Sequence, residues 1–593
     1  QAADGQTVDR GAFELLSARL RRQAEALGQA AEALNERRVE RFGGSELAVI
    51  GSVRIRTEHN CVPRDIARVG DRLLFGYNVF IGLKKQTEVG DVFSCHRFVE
   101  EGPDAKGDTP GDGGPDGAGS DEPAAPPRFA FRDVDADFLD DGRFQADFRE
   151  LYEYYKSTRL LQLRNLGGRL LAVFQTGATA YDHKVLRWQI EPGGARYLDN
   201  RGERDHVFDP PHDFEWTTTS REDHVAGKHP HVDVLGKVFV ETVGGDLTIK
   251  IEDNTEDGLG IYREPVDDPD QSLDDAEIHY AELGTLILLR VLPFREDRWR
   301  HFVFNTRTRS VERIDAIGSS CQQLPEDHGI IFPGGYHLQS GETKVYEQQI
   351  TDLEFVRRIR APNGEDVLYA FHHRGSGATL LLPYNLIRKQ VQTPIRCNGY
   401  AIFDSGRMVI FRAAGEEPTR VHTMQIWQTP FCTDEYAARG TAASASTFLE
   451  RLGNAELVRA VAELLSLVRA ARKEESEGLG SAHYHALVRA CGRALDSYRW
   501  LGEAELGEEL EGRLPEGPLD ELVRQLRGTA ERVVDEYQKV ESLRAQAGES
   551  LDEAAAQVTL AEREVRPQSF SEASQFVRGL ARLRTLRGQL ITL

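Results

Sequence analysis

Cysteine is scarce in this sequence, and its few cysteines do not stand in pairs. The 593 residues contain six cysteines, with no CxxC motif and no nearby cysteine and histidine at zinc spacing. Disulfide frameworks and zinc modules both need such spacing. We therefore expect reduced thiols of a cytoplasmic protein. The six are Cys61, Cys95, Cys321, Cys397, Cys432 and Cys491.

Long apolar runs are also absent. The first thirty residues hold no apolar segment of a secretion signal, and no stretch approaches the roughly 18 uncharged apolar residues of a membrane span. We expect no membrane partner. The chain begins at Gln1, without methionine, and stops at Leu593 inside an amphipathic run. These ends lead us to expect a chain cut from a longer protein.

Basic residues are in the minority. Lysine and arginine number 73 against 96 aspartates and glutamates, which gives a formal net charge of −23. A surface of this sign repels phosphate backbones. Direct nucleic-acid binding is therefore not expected, except through a local basic patch or a partner.

The sequence lacks the common catalytic motifs. A phosphate loop needs glycine, four residues, and then Gly-Lys-Ser/Thr, and the nearest candidate, residues 335–344, has the wrong spacing. Glu342 stands there in place of the lysine. No G-x-S-x-G and no H-E-x-x-H motif occurs. We expect a β-hairpin at 335–344, and no catalytic or cofactor-binding residue in the chain.

Two amphipathic helical arms are predicted at the ends of the chain. Residues 1–44 form the first arm, a coiled-coil or bundle helix that ends at Gly43 and Gly44. Residues 433–593 form the second, which Pro515 and Pro518 divide. The apolar stripe of the first arm consists of Phe13, Leu16, Leu20, Ala24, Leu27, Ala31 and Leu34.

Residues 45–432 are predicted to form a β-rich domain. Short β-prone segments alternate there with turns rich in Gly, Asp and Asn. Residues 101–128 are nearly devoid of side chains to bury, and we interpret them as a disordered insertion. The remainder, about 360 residues, would suit an irregular β-propeller of about seven blades. The predicted fold class is thus an α+β multidomain protein with a central all-β block, and we expect a short helix at 148–155.

An acidic segment has the spacing of a calcium loop. Oxygen ligands stand at positions one, three, five and twelve, with Gly258 at position six. The flanks are strands rather than helices, and Gly260 replaces the usual apolar residue at position eight, so an exposed acidic turn remains the alternative. The candidate metal ligands are Asp253, Thr255, Asp257 and Glu264.

Three histidines near residue 230 extend this hypothesis. His224, His229 and His231 fall within eight residues, and the last two would share a strand face. No further ligand at a characteristic spacing supports a metal site there. A metal-dependent enzyme or a calcium-binding module centred on residues 253–264 is therefore the alternative function, and polar loop histidines are the simpler interpretation.

Several segments resemble a known family. They include RIRTEHNCVPRD (54–65), LFGYNVFIGL (74–83), FPGGYHLQSGE (332–342) and MQIWQTPF (424–431), together with residues 240–250 and 252–262. In these stretches the chain resembles the large bacterial proteins described as DNA repair ATPases. The resemblance covers roughly residues 10–593.

The resemblance implies a division of labour. Such proteins have an N-terminal coiled coil, a β-rich middle region and a C-terminal AAA-type ATPase domain, which would bind ATP and magnesium. No nucleotide-binding motif of that domain occurs here, so no catalytic residue carries over. The resemblance thus implies a non-catalytic scaffold that binds a protein partner and couples it to the ATPase domain, in a full-length protein that forms a homo-oligomer.

Overall fold

The structure is a computed structural model, and it describes most of the chain. Of the predicted disordered insertion, residues 102–127 lie outside the described parts. The described residues are 2–80, 86–101, 128–179, 182–207, 209–252, 258–346, 352–413, 415, 417–433, 436, 447–473, 480–514, 517–565 and 572–592.

The fold is α+β with extensive antiparallel sheets, which confirms the predicted class. Contacts divide the chain into two compact units. The β unit is Phe42–Ala443, and the helical unit combines Gln1–Arg41 with Ser444–Leu593.

The strands of the β unit are short, with one exception. The first eight are β1 (Ala48–Val69), β2 (Arg72–Val79), β3 (Phe93–Glu101), β4 (Arg128–Asp133), β5 (Arg159–Leu166), β6 (Arg169–Gln175), β7 (His183–Glu191) and β8 (Gly194–Asp199). The next ten are β9 (Thr217–Thr218), β10 (His224–Val225), β11 (His231–Val234), β12 (Val238–Glu241), β13 (Asp246–Lys250), β14 (Tyr262–Pro265), β15 (Glu277–Leu283), β16 (Leu286–Leu292), β17 (Arg300–Asn305) and β18 (Ser310–Arg313). The last twelve are β19 (Gln322–Gln323), β20 (Gly329–Phe332), β21 (Gly335–Leu338), β22 (Thr343–Val345), β23 (Glu354–Arg360), β24 (Asp366–His372), β25 (Thr379–Asn385), β26 (Gln390–Val391), β27 (Ile395–Cys397), β28 (Gly399–Ile402), β29 (Arg407–Arg412) and β30 (Thr419–Gln428).

These strands form antiparallel sheets of neighbours along the chain. The sheet orders are β5-β6-β7-β8, β10-β11-β12-β13-β14, β18-β17-β16-β15-β9, β19-β20-β21-β22 and β23-β24-β25-β26, with β27 beside β25. A further sheet has the order β28-β29-β30-β1-β2-β3-β4. Within the described residues no closed barrel or propeller is established, and the seven-bladed propeller stays a prediction.

Strand β1 holds the two ends of the β unit together. Its first half pairs with β30, from Ala48 opposite Gln428 to Arg56 opposite Val421. Its second half pairs with β2, up to Val69 opposite Arg72. This single 22-residue strand therefore pairs first with β30 and then with β2.

Buried apolar faces join successive sheets. Val240 and Ile249 share a core with Leu289, so the sheet of β10–β14 packs against the sheet of β15–β18. Leu288 shares another core with Ile330 on the sheet of β19–β22. Strands buried on both faces read as continuous apolar runs, and β16 (LILLRVL) is such a run.

The helix that interrupts the strands begins earlier than predicted. It spans Gly142–Tyr154 and is α3, after α1 (Ala2–Phe42) and the single turn α2 (Val89–Val92). The Asp141 carboxylate accepts the amide of Arg143 at 2.8 Å, a standard N-cap that starts this helix. Phe144 and Phe148 then bury against the sheet of β5–β8.

The helical unit confirms the predicted stripe of the first arm. Leu20, Ala24, Leu27, Ala31 and Leu34 of α1 are all buried. Within this unit, the ring centroid of Phe13 lies 6.3 Å from that of Tyr484 and 5.2 Å from that of Tyr537. The other helices are α4 (Phe448–Leu452), α5 (Asn454–Arg472), α6 (Ser481–Ser497), α7 (Ala504–Glu509), α8 (Leu519–Val565) and α9 (Ala573–Thr592).

The helices were compared with the requirements of a membrane span. Over the described part of the chain, none of them combines the length and the apolar character that a bilayer crossing requires.

Candidate functional site

An arginine-lined cavity of about 600 Å³ lies inside the β unit. Strands that are far apart in sequence contribute to its wall: β1, β5, β7, β23, β24, β25 and β28. We call it the arginine cavity. Its charged lining residues are Arg68, Arg164, Arg357, Arg358, Asp65, Asp209 and Asp404.

Three of these strands carry a β-bulge beside the cavity. The pairing register shifts by one residue at Arg64 of β1, at Leu161 of β5 and at Val356 of β23. A bulge inserts one residue, bends the strand and re-aims the side chains around it. The bulges therefore set the directions of the side chains around Arg64, Leu161 and Val356.

Asp65 is the most perturbed acid of the arginine cavity. One carboxylate oxygen accepts the amide of Ile66 at 2.8 Å, and the other accepts the amide of Leu163 on β5 at 2.9 Å. Burial raises the pKa of this carboxyl to about 7, although the two amides and the nearby arginines oppose the rise. The side chain thus links β1 to β5 and titrates near neutral pH.

A glycine lets a third strand reach this carboxyl. A Cβ atom on Gly399 of β28 would stand 2.6 Å from an Asp65 oxygen and 2.7 Å from the amide nitrogen of Ile66. Real Cβ contacts are not this short, so only glycine permits this approach of β28.

The arginines of the cavity are held by neighbouring groups. Arg357 donates from Nε to the Tyr400 hydroxyl at 2.9 Å, and Arg164 donates to the Val207 carbonyl at 2.9 Å. Burial lowers the pKa of Arg164, and the positive charge of Arg357 lowers it further against the effect of Asp209. The two guanidinium groups are therefore close enough to repel each other.

The buried histidine beside the cavity is neutral. Burial lowers the pKa of His372 to about 3, and its Nδ1 atom lies 3.0 Å from the hydroxyl of Thr379. A neutral imidazole fixed in this way does not add charge to the wall. Of these two groups, only Asp65 has a pKa near neutral pH.

The predicted calcium ligands divide between described and undescribed residues. Asp253, Thr255 and Asp257 lie outside the described residues. Glu264 lies on β14, where its carboxylate accepts from Arg300 at 2.7 Å and from Arg313 at 2.9 Å. Two guanidinium groups already neutralise this carboxylate. The calcium loop stays a prediction.

The three histidines near residue 230 have separate partners. His224 lies 3.2 Å from a carboxylate oxygen of Asp274, and His229 lies 3.7 Å from one of Glu241. His231 is buried against the ring of Phe239. Among the described residues, no group of three histidine, cysteine or acidic side chains is placed to hold a metal ion.

Residues 335–344 form the predicted hairpin. Strands β21 and β22 pair antiparallel, with Tyr336 opposite Lys344. A phosphate loop wraps its ligand between a strand and a helix, and here the glycine-rich segment joins two strands instead.

Sequence reasoning missed the residues of the arginine cavity. Asp65, Arg164 and Arg357 belong to no motif, and their meeting depends on strands separated by about 100 and 300 residues. One usable signal was Pro63-Arg64-Asp65 within a β-prone segment. A proline inside a strand marks an edge or a bulge, and bulges frequently adjoin functional sites.

A family profile matches most of the chain. It covers residues 26–499, and the family, DUF3686, is described as "ATPase involved in DNA repair". The chain belongs to this family. The DUF3686 match includes the whole β unit and helices α4 to α6. A comparison with curated proteins finds no match.

Solved structures show only weak likeness to this family member. Oligogalacturonate lyase in complex with manganese is 11% identical, with a TM-score of 0.15 over 49% of this chain and 78% of that one. The Saccharomyces cerevisiae core factor is 9% identical, with a TM-score of 0.19 over 84% and 83%. Prolyl oligopeptidase B of Galerina marginata is 9% identical, with a TM-score of 0.16 over 70% and 52%. TM-scores this low carry no argument about fold or function.

Proposed function

We propose that this chain is the non-catalytic recognition portion of a bacterial DNA repair ATPase. The β unit receives a protein partner, and the helical unit couples it to an AAA-type ATPase domain formed by residues outside these 593. ATP and magnesium bind in that domain, and the protein works in the cytoplasm. The observation that carries this proposal is the arginine cavity inside the β unit.

The sheet order supports a propeller of seven blades. Five antiparallel sheets of neighbouring strands follow one another along the chain, and β1 divides the large sheet into two further groups. One group is β1 with β2–β4, and the other is β28–β30 with β1. Propeller blades are four-stranded sheets around a central channel. Strands of four of these groups, among them β1, β5, β23 and β28, line the same cavity.

The state of the cavity's side chains favours binding over chemistry. Both carboxylate oxygens of Asp65 accept hydrogen bonds from backbone amides, and the neutral imidazole of His372 is hydrogen-bonded to Thr379. General acid–base catalysis needs a group free to exchange a proton with substrate. Hydrogen bonds hold both side chains in place, and such fixed groups suit the binding of a ligand.

The charge of the cavity indicates an acidic ligand. Its wall has four arginines against three aspartates, and Asp65, whose pKa burial raises to about 7, is only partly ionised near neutral pH. This lining is positive within a chain of net charge −23. Arginine presents a planar fork that binds carboxylates bidentately. We infer that an acidic segment of a protein partner enters here.

The helical unit has surface available for assembly. Helices α8 and α9 expose several large apolar side chains to solvent. Exposed apolar patches mark interaction sites. This supports the homo-oligomer and the coupling role that we propose for the full-length protein. The exposed residues are Leu543, Leu551, Leu560, Phe576, Val577, Leu580 and Leu583.

Peptide binding tests the proposed recognition site. Fluorescence anisotropy with pools of acidic and of basic peptides should show binding of the acidic pool alone. Arg358→Gln, an exposed arginine of the cavity, should weaken that binding by about tenfold, because it removes a charge-assisted hydrogen bond. Arg298→Gln, an exposed arginine that does not line the cavity, is the control. Equal binding of both pools, or an unchanged affinity in Arg358→Gln, would overturn the proposal.

A further inference from the structure

A second cavity of about 1070 Å³ lies next to the first along the same strands. It is lined by the residues just before the arginine cavity on β1 and β5, by the end of β2, by residues before α2, by the C-terminal end of α3 and the residues after it, and by the turn between β24 and β25. We call this second cavity the basic cavity. Its charged lining residues are Arg64, Lys156, Arg159 and Glu153.

Arg64 is a buried cation at the wall of the basic cavity. Arg64 is 7% exposed. It donates to the carbonyl oxygens of Ser376 and Gly375, the latter at 3.4 Å. Over the described stretches of the chain, its Nε atom has no hydrogen-bond partner. A buried donor without a partner costs free energy.

A glycine positions the turn that holds Arg64. Gly377 has φ +74°, and a Cβ atom there would stand 2.9 Å from a terminal nitrogen of Arg64. Only glycine combines that backbone conformation with so close an approach. The turn and the guanidinium are therefore fitted to each other.

Two further cations complete the basic cavity. Arg159 donates from Nε to the side-chain oxygen of Gln175 at 2.7 Å, which fixes its guanidinium, while Lys156 is exposed. Burial lowers the pKa of Arg64 to about 10, and the charge of Arg159 contributes. The positive charge of Arg159 therefore acts on the guanidinium of Arg64.

We propose that the basic cavity binds the phosphate monoester of a nucleotide. Three cationic side chains stand against one carboxylate, and a phosphate monoester carries about −1.5 to −2 at pH 7. Arginine forks match phosphate oxygens bidentately, and lysine adds a point charge. The site is separate from the arginine cavity, so it does not depend on the proposed partner binding.

An exposed aromatic ring favours a nucleotide over inorganic phosphate. Phe80 lines the basic cavity and is 60% exposed. Every nucleobase has a face that stacks on such a ring, and this stacking favours binding whatever the base. A ligand that carries both a base and a phosphate can therefore contact the Phe80 ring as well as the cationic side chains, whereas phosphate alone contacts only the latter.

Calorimetric titration of the whole chain tests this site. AMP should bind at least about tenfold more tightly than adenosine, because only AMP carries the charge-assisted hydrogen bonds. Inorganic phosphate should bind more weakly than AMP. Lys156→Gln and Arg159→Gln should each weaken AMP binding by about tenfold. Arg149→Gln, on the exposed face of α3 outside the cavity, should bind AMP as the parent does.

The outcomes separate support from refutation. Equal binding of AMP and adenosine, no AMP binding at millimolar concentration, or affinities in both cavity variants that match Arg149→Gln would each overturn the proposal. A short oligonucleotide with a 5′-phosphate, compared with its 5′-hydroxyl counterpart, identifies the source. Tighter binding of the phosphorylated strand than of AMP assigns the site to a nucleic-acid end, and weaker or equal binding assigns it to a free nucleotide.

Discussion

At Asp65, burial and hydrogen bonding act on one carboxyl group in opposite directions. The amides of Ile66 and Leu163 stabilise the charged form, and burial destabilises it. Burial is the larger effect, because the pKa is raised to about 7 from 3.8. The ionised carboxyl is therefore costly to the fold, and this cost has a measurable dependence on pH.

Asp65→Asn should remove that dependence. A carboxyl with a folded-state pKa above its unfolded value stabilises the fold below the unfolded pKa, and this contribution is lost as pH rises from about 4 to about 7. Relative to the parent, the unfolding free energy of Asp65→Asn should therefore rise with pH between 5 and 7, by up to about 1.4 kcal/mol per pH unit. Urea denaturation at pH 5, 6 and 7 measures this change.

The exposed carboxylate of Asp140 provides the control. Asp140→Asn should follow the parent at all three pH values. Parallel pH profiles for the parent and Asp65→Asn would contradict the raised pKa and remove Asp65 as the group that titrates in the cavity.

Single residues of this site lie beyond sequence prediction for a physical reason. The environment of Asp65 is set by Leu163 and Gly399, which are about 100 and 330 residues away. Local periodicity contains no information on such pairings. The acidic segment at 253–264 drew attention because its ligands are close in sequence, and its one described ligand, Glu264, is paired with Arg300 and Arg313.

Among the elements, local pattern predicted type better than extent. The β-prone run from residue 47 became the start of β1, but the strand continues to Val69, through the polar residues of RTEHN. The pairing with β30 is irregular between Arg56 and Cys61, and β2 pairs with the strand from Cys61 onward. Tertiary pairing thus extended a strand that propensity alone would end early.

Gly399→Ala tests the meeting of three strands at Asp65. The added Cβ atom would stand 2.6 Å from the Asp65 carboxylate, so β28 must move or the carboxyl must shift. Overpacking of this kind costs about 1–3 kcal/mol. We expect a loss of that size in the unfolding free energy measured by urea denaturation.

A second glycine in a strand gives the matched control. Gly194 of β8 has nothing within 4 Å of an added Cβ atom. Gly194→Ala should be neutral or stabilising, by up to about 1 kcal/mol, because alanine restricts the unfolded chain. If Gly399→Ala proved as mild as Gly194→Ala, β28 would not approach Asp65 as closely as described.

At the scale of the whole molecule, the sequence predicted two arms and a β block, but not which parts pack together. Phe13 of the first arm contacts Tyr484 and Tyr537 of the second, so both arms belong to one helical unit. More than 450 residues separate these rings. An amphipathic stripe shows that a helix has a partner, and it does not identify the partner.

The division of labour within the whole protein yields a prediction about ATP. The segment nearest to a phosphate loop, residues 335–344, is the hairpin β21–β22, in which Lys344 pairs opposite Tyr336 rather than facing a helix N-terminus. This chain alone, with ATP and magnesium, should release no phosphate above the buffer rate. The longer protein that we propose should hydrolyse ATP.

A coupled phosphate-release assay on both proteins makes the comparison, with Lys344→Gln as the control variant. The full-length protein with Lys344→Gln should hydrolyse ATP at the parent rate, because the hairpin takes no part in the reaction. Steady turnover by residues 1–593 alone would contradict the non-catalytic assignment. Loss of that turnover in Lys344→Gln would then locate the nucleotide at the hairpin, whereas retained turnover would locate it elsewhere in this chain.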